Sequence, residues 1–507
     1  MTQLAGSHPI LTCADARALE DRLFASDEAK EWSAMQGAGR ALAEAVLRDF
    51  GEIGGFPAEG RILVLAGKGH NGGDALIAAH AILEKHPHAT AEVAFVFGRR
   101  LLRPLAARAW RDLQHAAGER VHGRPGLAAA SQKGSGERSG NRYDLCLDGI
   151  FGFQFRTPAG PAVVALIERV NTLPIRMRAA VDLPSAGKFR ADFTYATGSV
   201  KAPVVGAPEA GRVRYLNLGF FDGSEPASDR VLTPALLRTL AAWRPAISDK
   251  RTFGHLFAIG GSRGFPGAIL MSVLAALRSG AGLVTAFVPE SLAPAFAARA
   301  PEAMWVGCPE TAGGGLASAS RNLILKRIGR ASAFIIGPGM GRDPETLELA
   351  AGVVRESTVP LVIDADALQP EIVRAGRGKR IVTPHAGEFA RIGGGMPASQ
   401  FAGDTGATVV LKGPVTRIFD GGERTVYHSF FGGPVLARGG SGDILAGLIG
   451  GLLAQTPGDP LLAAARGAVW HGMTADALAR AHGEVAVSVT QLLDFLPVPL
   501  RELRRGT

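Results

Sequence analysis

The stretch RILVLAGKGHNGGDALIAAHAILEK, from Arg61 to Lys85, decides how the first half of the chain folds. Its apolar opening reads as a buried strand. A glycine-rich loop follows, and then a run with the apolar spacing of a helix. The same grammar returns in HLFAIGGSRGFPGAILMSVLAALRSGAGLVTAFVP, from His255 to Pro289, as strand, glycine turn, helix and strand. Between and beyond these two stretches lie further short apolar runs: AEVAFVFG, YDLCLDGIFG, RAAVDLPS and RVRYLNLG in the first half, AFIIGPGMGRDPET, PLVIDADAL, RIVTPHAGEFARI and TVVLKGPVTRIF in the second. Strands alternating with helices predict a mostly parallel sheet covered on both faces. The expected fold class is therefore α/β, built as two three-layer α/β/α domains.

The segment FFDGSEPASDRVLTPALL (Phe220–Leu237) is rich in turn formers and separates the halves. A boundary near Pro226 gives expected domains at 1–225 and 226–507. The polar, glycine-rich Arg124–Arg142 reads as a loop inside the first half. Helical patterns open the chain after Thr12 and close it around GDILAGLIGGLLA and DPLLAAARGAVWHGMTADALARA.

Composition narrows the function. The 507 residues are 47% hydrophobic and 20% charged, as in a globular protein with a large core. The net charge of +9 is spread singly, without a basic run or aromatic stripe, so nucleic acid is not an expected partner. Cys13, Cys146 and Cys308 stand far apart and form neither a disulfide framework nor a zinc pattern. The first twenty residues lack a basic start followed by an apolar stretch, and Ile444–Ala454 is too short to cross a bilayer. No membrane association is expected, and a cytoplasmic location is.

The polar residues gather where strands end, which is where open parallel sheets bind ligands. In GKGHNGGDAL (Gly67–Leu76) the glycines bring backbone N–H groups to a helix start, with Asn71 and Asp74 beside them. The alternative is a tight turn with Asp74 as a helix cap. Asp148 and Asp182 also end apolar runs. With Asn71 they could form an oxygen-lined cation site and a proton-transfer group. In the second half, Lys412 of LKGPVT ends a strand where an ammonium could meet a phosphate, and His385 and Glu388 follow another. ARGGSGDILAGLIGGLLA (Ala437–Ala454) places Asp443 between bare glycines and an apolar helix. The positive end of that helix favours an oxyanion or phosphate, and Asp443 can take a proton from a hydroxyl or simply cap the helix.

Eight motifs in this order carry a resemblance. GHNGGD, DGIFG and VDLPS resemble the NAD(P)H-hydrate epimerase domain, a Rossmann-like fold. GPGMG, VIDADAL, TPHAGEF, LKGPVT and GGSGD resemble the ADP-dependent NAD(P)H-hydrate dehydratase, a ribokinase-like fold. The whole chain resembles the bifunctional NAD(P)H-hydrate repair enzymes. The resemblance implies epimerisation of the R and S hydrates of NADH and NADPH by the first domain. It implies ADP-dependent dehydration of the S hydrate by the second, with release of AMP and phosphate. Mg²⁺ and K⁺ are the implied ions, and a homo-oligomer is expected.

Carried over by motif, Asp443 is the implied base of dehydration and Asp182 the proton-transfer group of epimerisation. Lys412, Gly413, Pro414, Val415, Thr416 and Gly442 are implied nucleotide contacts, and Ala268, Gly339 and His385 contacts to the hydrated cofactor. In the first domain the implied substrate contacts are His70, Asn71, Gly72, Gly73 and Asp74, with Gly152, Phe153, Gln154, Phe155, Arg156, Thr157 and Pro158. Asn71, Asp148 and Ser185 are the implied K⁺ ligands. The chain departs from the family at Ala186, where glycine is usual, and in the short loop that follows. It departs also at His70, Ala386 and Arg438. Taken alone, the GGSGD chemistry also serves a small-molecule kinase. The short loop also leaves open a non-catalytic first domain.

Overall fold

The computed structural model describes residues 3–125, 142–155 and 158–505. It divides into two compact units. One spans His8–Ala227 and takes in Ala479–Gly483; the other holds the residues up to Ser7, Ser228–Leu478 and the chain from Glu484 onward. Arg124 and Pro125, read from sequence as the start of a loop, belong to a strand, while residues 126–141 lie outside the described ones.

The N-terminal unit is built on strands β1 (Arg61–Ala66), β2 (Thr90–Phe95), β3 (Val121–Pro125), β4 (Tyr143–Gly149), β5 (Ile175–Val181), β6 (Phe193–Thr197) and β7 (Arg212–Leu216). They pair in parallel in the order β3-β2-β1-β4-β5-β6-β7. The order reverses between β1 and β4, the crevice where a Rossmann-like sheet binds ligands. Helices Glu28–Phe50, His70–Lys85, Pro104–Ala117 and Pro161–Thr172 cover it. β1 and β4 are buried along almost their whole length, as strands covered on both faces must be. Sequence periodicity missed β3 and β6, which are short and interrupted by glycine or polar residues.

In the C-terminal unit the strands are β8 (Asp229–Leu232), β9 (His255–Ile259), β10 (Leu283–Pro289), β11 (Met304–Cys308), β12 (Ala333–Ile336), β13 (Leu361–Ile363), β14 (Arg380–Val382), β15 (Thr408–Leu411), β16 (Thr416–Phe419) and β17 (Val426–Ser429). Their order is β11-β10-β9-β12-β13-β14-β15-β16-β17-β8. All these pairings are parallel except β15 with β16 and β16 with β17. The run TVVLKGPVTRIF is thus a hairpin, and Lys412–Val415 is its loop.

Helix Ser441–Gln455 is buried from Ile444 to Ala454. Its glycines are contact residues. A methyl group on Gly447 would lie 2.2 Å from the Ser272 carbonyl oxygen, and one on Gly451 2.0 Å from Ser279 Oγ. Both neighbours belong to or cap helix Pro266–Arg278. On the sheet side, a methyl on Gly450 would meet Ile335 of β12 at 2.4 Å. The missing side chains let this helix seat closely on a second helix and on the sheet at once.

In an unconstrained helix, Gly→Ala stabilises by about 0.5–1 kcal/mol. Here the obstruction is backbone. Gly447→Ala is expected instead to destabilise the C-terminal unit by about 1–3 kcal/mol, the usual cost of overpacking, read as a lower urea midpoint. A rise in the midpoint would show that the close approach does not hold the helix.

Candidate active sites

In the C-terminal unit Ile336, Ile363, Val382 and Val409 stand in register across four parallel strands. The residues that follow them therefore meet at one sheet edge. Thr383 Oγ1 donates to Asp364 Oδ1 at 2.7 Å. Lys412 Nζ lies 3.2 Å from the same oxygen and 3.7 Å from Glu388 Oε2. A methyl on Gly442 would sit 3.3 Å from Lys412 Nζ, so the ammonium faces the first turn of the Asp443 helix. Burial opposes the Lys412 charge, but Asp364, Glu388 and Asp443 outweigh it and hold the group protonated above its usual range.

Gly440 caps that helix with φ 94° and no side-chain hydrogen bond. Asp443 is the third helical residue, which removes the capping alternative: its carboxylate is free for chemistry. Its carbonyl accepts from Ser272 Oγ at 2.9 Å, tying the turn to helix Pro266–Arg278. Burial, and then the neighbouring Asp364, push the Asp443 carboxyl up to about 7, against the opposing pull of Lys412. The helix's first N–H groups lack intrahelical acceptors and offer the site a donor cradle.

The other C-terminal candidates fall around this edge. Gly339 has φ 62°, and a methyl there would lie 3.0 Å from Ala268 Cβ and 2.3 Å from the Phe265 carbonyl. Ala268 and Gly339 are thus neighbours. Ser262 Oγ donates to the Gly339 carbonyl at 2.8 Å, and Gly341 N to Asp366 Oδ2 at 3.0 Å, linking the loops after β9, β12 and β13. His385 caps helix Ala386–Gly393: its Nδ1 accepts from Gly387 N at 3.0 Å and Glu388 N at 3.3 Å. Its Nε2 therefore carries the ring proton and lies 3.6 Å from Glu388 Oε1. Lys412 N donates to the Pro384 carbonyl at 2.9 Å, which brings the His385 loop beside the Lys412 loop. Gly413 and Pro414 are exposed, and Val415 and Thr416 half-buried. Phe265 was missed from sequence; it is 62% exposed beside Ala268 and Gly339.

In the N-terminal unit the glycine loop packs on the end of β4. A methyl on Gly67 would meet the Ile150 carbonyl at 2.0 Å, one on Gly72 the Gly67 carbonyl at 2.3 Å, and one on Gly73 Met35 Sδ at 2.6 Å. Asn71 Nδ2 donates to the Val181 carbonyl at 2.8 Å and the Phe151 carbonyl at 3.4 Å. Its Oδ1 faces Gly152. Asn71 thus joins three chain segments. His70 Nε2 lies 3.8 Å from Glu31 Oε2, and burial lowers its basicity. Phe155 stacks on Phe151 with centroids 3.8 Å apart, while Gln154 and Pro158 are exposed. Arg156 and Thr157 lie outside the described residues.

Asp148 is fully buried, and its donors are neutral: Ser185 Oγ at 2.7 Å, Ser185 N at 2.8 Å and Ile150 N at 3.2 Å. Burial pushes its carboxyl up to about 6 against those bonds. Among the described residues no group of three or more His, Cys, Asp or Glu is arranged to hold a metal. A K⁺ ion needs no such group. A buried carboxylate with neutral donors, an amide oxygen and a hydroxyl form an oxygen set that suits a weakly hydrated cation.

Asp182 directly follows β5, is buried, and adopts φ 70°. Its Oδ1 lies 2.5 Å from Lys201 Nζ, which also donates to the Thr197 carbonyl at 3.0 Å. Lys201 Nζ stands 5.1 Å over the Phe153 ring. Asp74 is buried within helix His70–Lys85, whose cap is Gly69, so the capping alternative for Asp74 is also overturned. Burial, then Asp182 and Glu20, push the Asp74 carboxyl well up. Glu20, raised by burial to about 7, feels the same Lys201 and Asp182. One ammonium therefore serves three carboxyl groups. Sequence reading missed Lys201 and Glu20. Lys201 enters because Ile10 and Leu11 pair with Val200 and Lys201, a non-local pairing without a local signal.

A family model described as NAD(P)H-hydrate dehydratase matches residues 256–498, and one described as YjeF-related protein N-terminus matches 32–205. The chain is 34% identical over 504 residues to the bifunctional NAD(P)H-hydrate repair enzyme of Moorella thermoacetica, covering 92% of each. It belongs to the bifunctional NAD(P)H-hydrate repair enzyme family. The Gloeobacter violaceus member is 35% identical over 531 residues, with 96% of this chain and 97% of that one covered. Among solved structures, the ADP/ATP-dependent NAD(P)H-hydrate dehydratase from Bacillus subtilis, co-crystallised with ATP and Mg²⁺, is 27% identical. It covers 54% of this chain and 97% of its own at a TM-score of 0.46.

Two outcomes follow for this family member. Ala186 sits at φ 57°, in the left-handed region that favours glycine. Ala186→Gly is expected to raise the stability of the N-terminal unit by about 1 kcal/mol, read from urea midpoints. Lys201→Met strands buried Asp182 and should cost about 3–5 kcal/mol at pH 8. A carboxyl whose folded pKa is raised destabilises progressively as pH rises through that value, so the loss should shrink as the pH is lowered towards 5. A loss equal at both pH values would refute the charge argument.

Proposed function

We propose that Asp443 and Asp182 are the proton-transferring groups of the two repair reactions, one in each unit. The protein acts on NADH and NADPH hydrated at the nicotinamide ring. The C-terminal unit dehydrates the S form at the expense of ADP, and the N-terminal unit interconverts the R and S forms. The observation that carries the dehydratase reading is the uncapped Asp443 carboxylate in the first turn of a buried helix, beside Lys412.

Asp443 takes the proton of the ring hydroxyl. The freed oxygen attacks the β-phosphorus of ADP, the bond to the bridging oxygen breaks, and AMP leaves. Phosphate then departs from the ring carbon as the double bond re-forms with loss of a ring proton. Lys412 and the amides at Gly442 and Asp443 face the transferring group and stabilise its charge. The Lys412–Thr416 hairpin loop embraces the nucleotide, and Ala268, Gly339 and His385 border the hydrated ring. Asp364, Asp366, Glu388 and Asp443 leave this edge rich in carboxylate, which suits a nucleotide arriving with Mg²⁺. Asp364 and Glu388 would hold that ion, which neutralises phosphate charge.

In the N-terminal unit Asp182, paired with Lys201, gives a proton to the hydroxyl as the carbon–oxygen bond breaks and water leaves, the ring nitrogen stabilising the cation, and takes a proton back when water adds to the other face of the same carbon. His70–Asp74 and Gly152–Pro158 border that substrate. Asn71, Asp148 and Ser185 would hold K⁺, whose charge offsets the buried Asp148.

The test uses R and S hydrates with ADP and follows reduced-nicotinamide absorbance. Asp443→Asn should lower S-hydrate dehydration by at least about a thousandfold with unchanged circular dichroism, and Asp182→Asn should abolish only R-to-S exchange. Because the base must be ionised, kcat/KM for dehydration should rise tenfold per pH unit below about 7 and level off above it. Absorbance that stays flat while ADP is consumed would favour a kinase.

A further inference from the structure

A second concave site lies along the N-terminal sheet from the glycine loop. It is a cavity of about 400 Å³ lined by Phe97, Arg99, Arg100, Trp110, Gly123 and Arg124, among others. Its position is informative. In a sheet of this order, the loop after the first strand takes a pyrophosphate and the end of the next strand meets the adenosine ribose. An acidic residue there reads a free 2′-hydroxyl, whereas arginine accommodates a 2′-phosphate.

β2 ends at Phe95 and continues as Val96, Phe97, Gly98, Arg99 and Arg100, with no carboxylate. Glu92, within β2, is engaged: its Oε2 accepts from Tyr143 Oη at 3.0 Å, and its Oε1 lies 3.9 Å from Arg124 Nε. Arg124 arrives from β3, in register with Ala94. Arg99 and Arg100 are exposed and have no acidic partner among the described residues. The floor is aromatic. Phe95 and Trp110 meet edge-on with centroids 4.9 Å apart. A methyl on Gly123 would lie 2.8 Å from Phe95 and 3.0 Å from Trp110, so the glycine lets β3 approach both rings closely. A chain of groups joins the cavity to the glycine loop. Arg103 N donates to the Lys68 carbonyl at 2.8 Å, and Lys68 Nζ stands 5.9 Å from the Phe97 ring centroid.

We propose that this cavity is the subsite for a nucleoside 2′-phosphate, so that the N-terminal unit takes the phosphorylated hydrated dinucleotide in preference to the unphosphorylated one. The volume suits one nucleoside monophosphate, with the base against Phe97 and the phosphate among three guanidinium groups. The proposal rests on the reading of this unit as the epimerase.

The test titrates the full-length protein, saturated with ADP to fill the C-terminal nucleotide site, with adenosine 2′,5′-bisphosphate and separately with 5′-AMP. The bisphosphate should bind at least tenfold more tightly, and Arg99→Ala/Arg100→Ala should erase that difference. Dehydration of S hydrate, a property of the other unit, should stay unchanged in the double variant and report that it folds. Equal affinities, or a preference that survives in the variant, overturn the proposal. The same proteins are then given the R hydrates of NADPH and NADH. Epimerisation with equal kcat/KM for both also overturns it. Bisphosphate preference without epimerisation of either hydrate supports the subsite and counts instead against the epimerase reading.

Discussion

The seating of helix Ser441–Gln455 is the constraint on which the dehydration site depends. A helix that presents glycine to its neighbours can approach to backbone contact, and at that distance its first turn has little freedom. Among the described residues none donates a hydrogen bond to the Asp443 carboxylate, so Asp443 is held there by packing. A carboxylate held through its own oxygens would be stabilised as the anion and would be a poor base. Held through the backbone, it keeps a raised proton affinity and an open face.

The two units solve one electrostatic problem in related ways. Each gathers several carboxyl groups around a single ammonium at the carboxyl edge of its sheet: Lys412 in one, Lys201 in the other. Neither arrangement is neutral. With more acid than base in a partly dry environment, some of the carboxyl groups stay protonated near neutral pH, the condition for moving protons to and from a neutral hydroxyl. The difference lies in exposure. Lys412 is partly open and faces a helix N-terminus, suited to a phosphate. Lys201 is buried and pinned to one carboxylate, suited to orienting it.

Much of this was legible in the chain itself. Alternating strand and helix patterns give two α/β units, because periodicity is a local property of the residues. The glycine loops and the acids after apolar runs mark the carboxyl edges, since a parallel strand must leave its polar punctuation there. What the linear pattern could not supply was partnership. His385 and Glu388 follow a strand in the sequence, yet together they form the capping box of one helix, and the caps that were the alternative for Asp74 and Asp443 are not made.

The sequence by itself therefore determined the fold class, the order of the loops and the residues able to do chemistry, because each depends on neighbours in the chain. Only the tertiary structure decided which of those residues meet. Lys201 reaches Asp182 through the pairing of Val200 and Lys201 with Ile10 and Leu11, far away in the chain. Arg124 comes beside Arg99 and Arg100 through the register of β3 on β2. Register is set by burial summed over whole strands and helices, and no short window of sequence contains that sum.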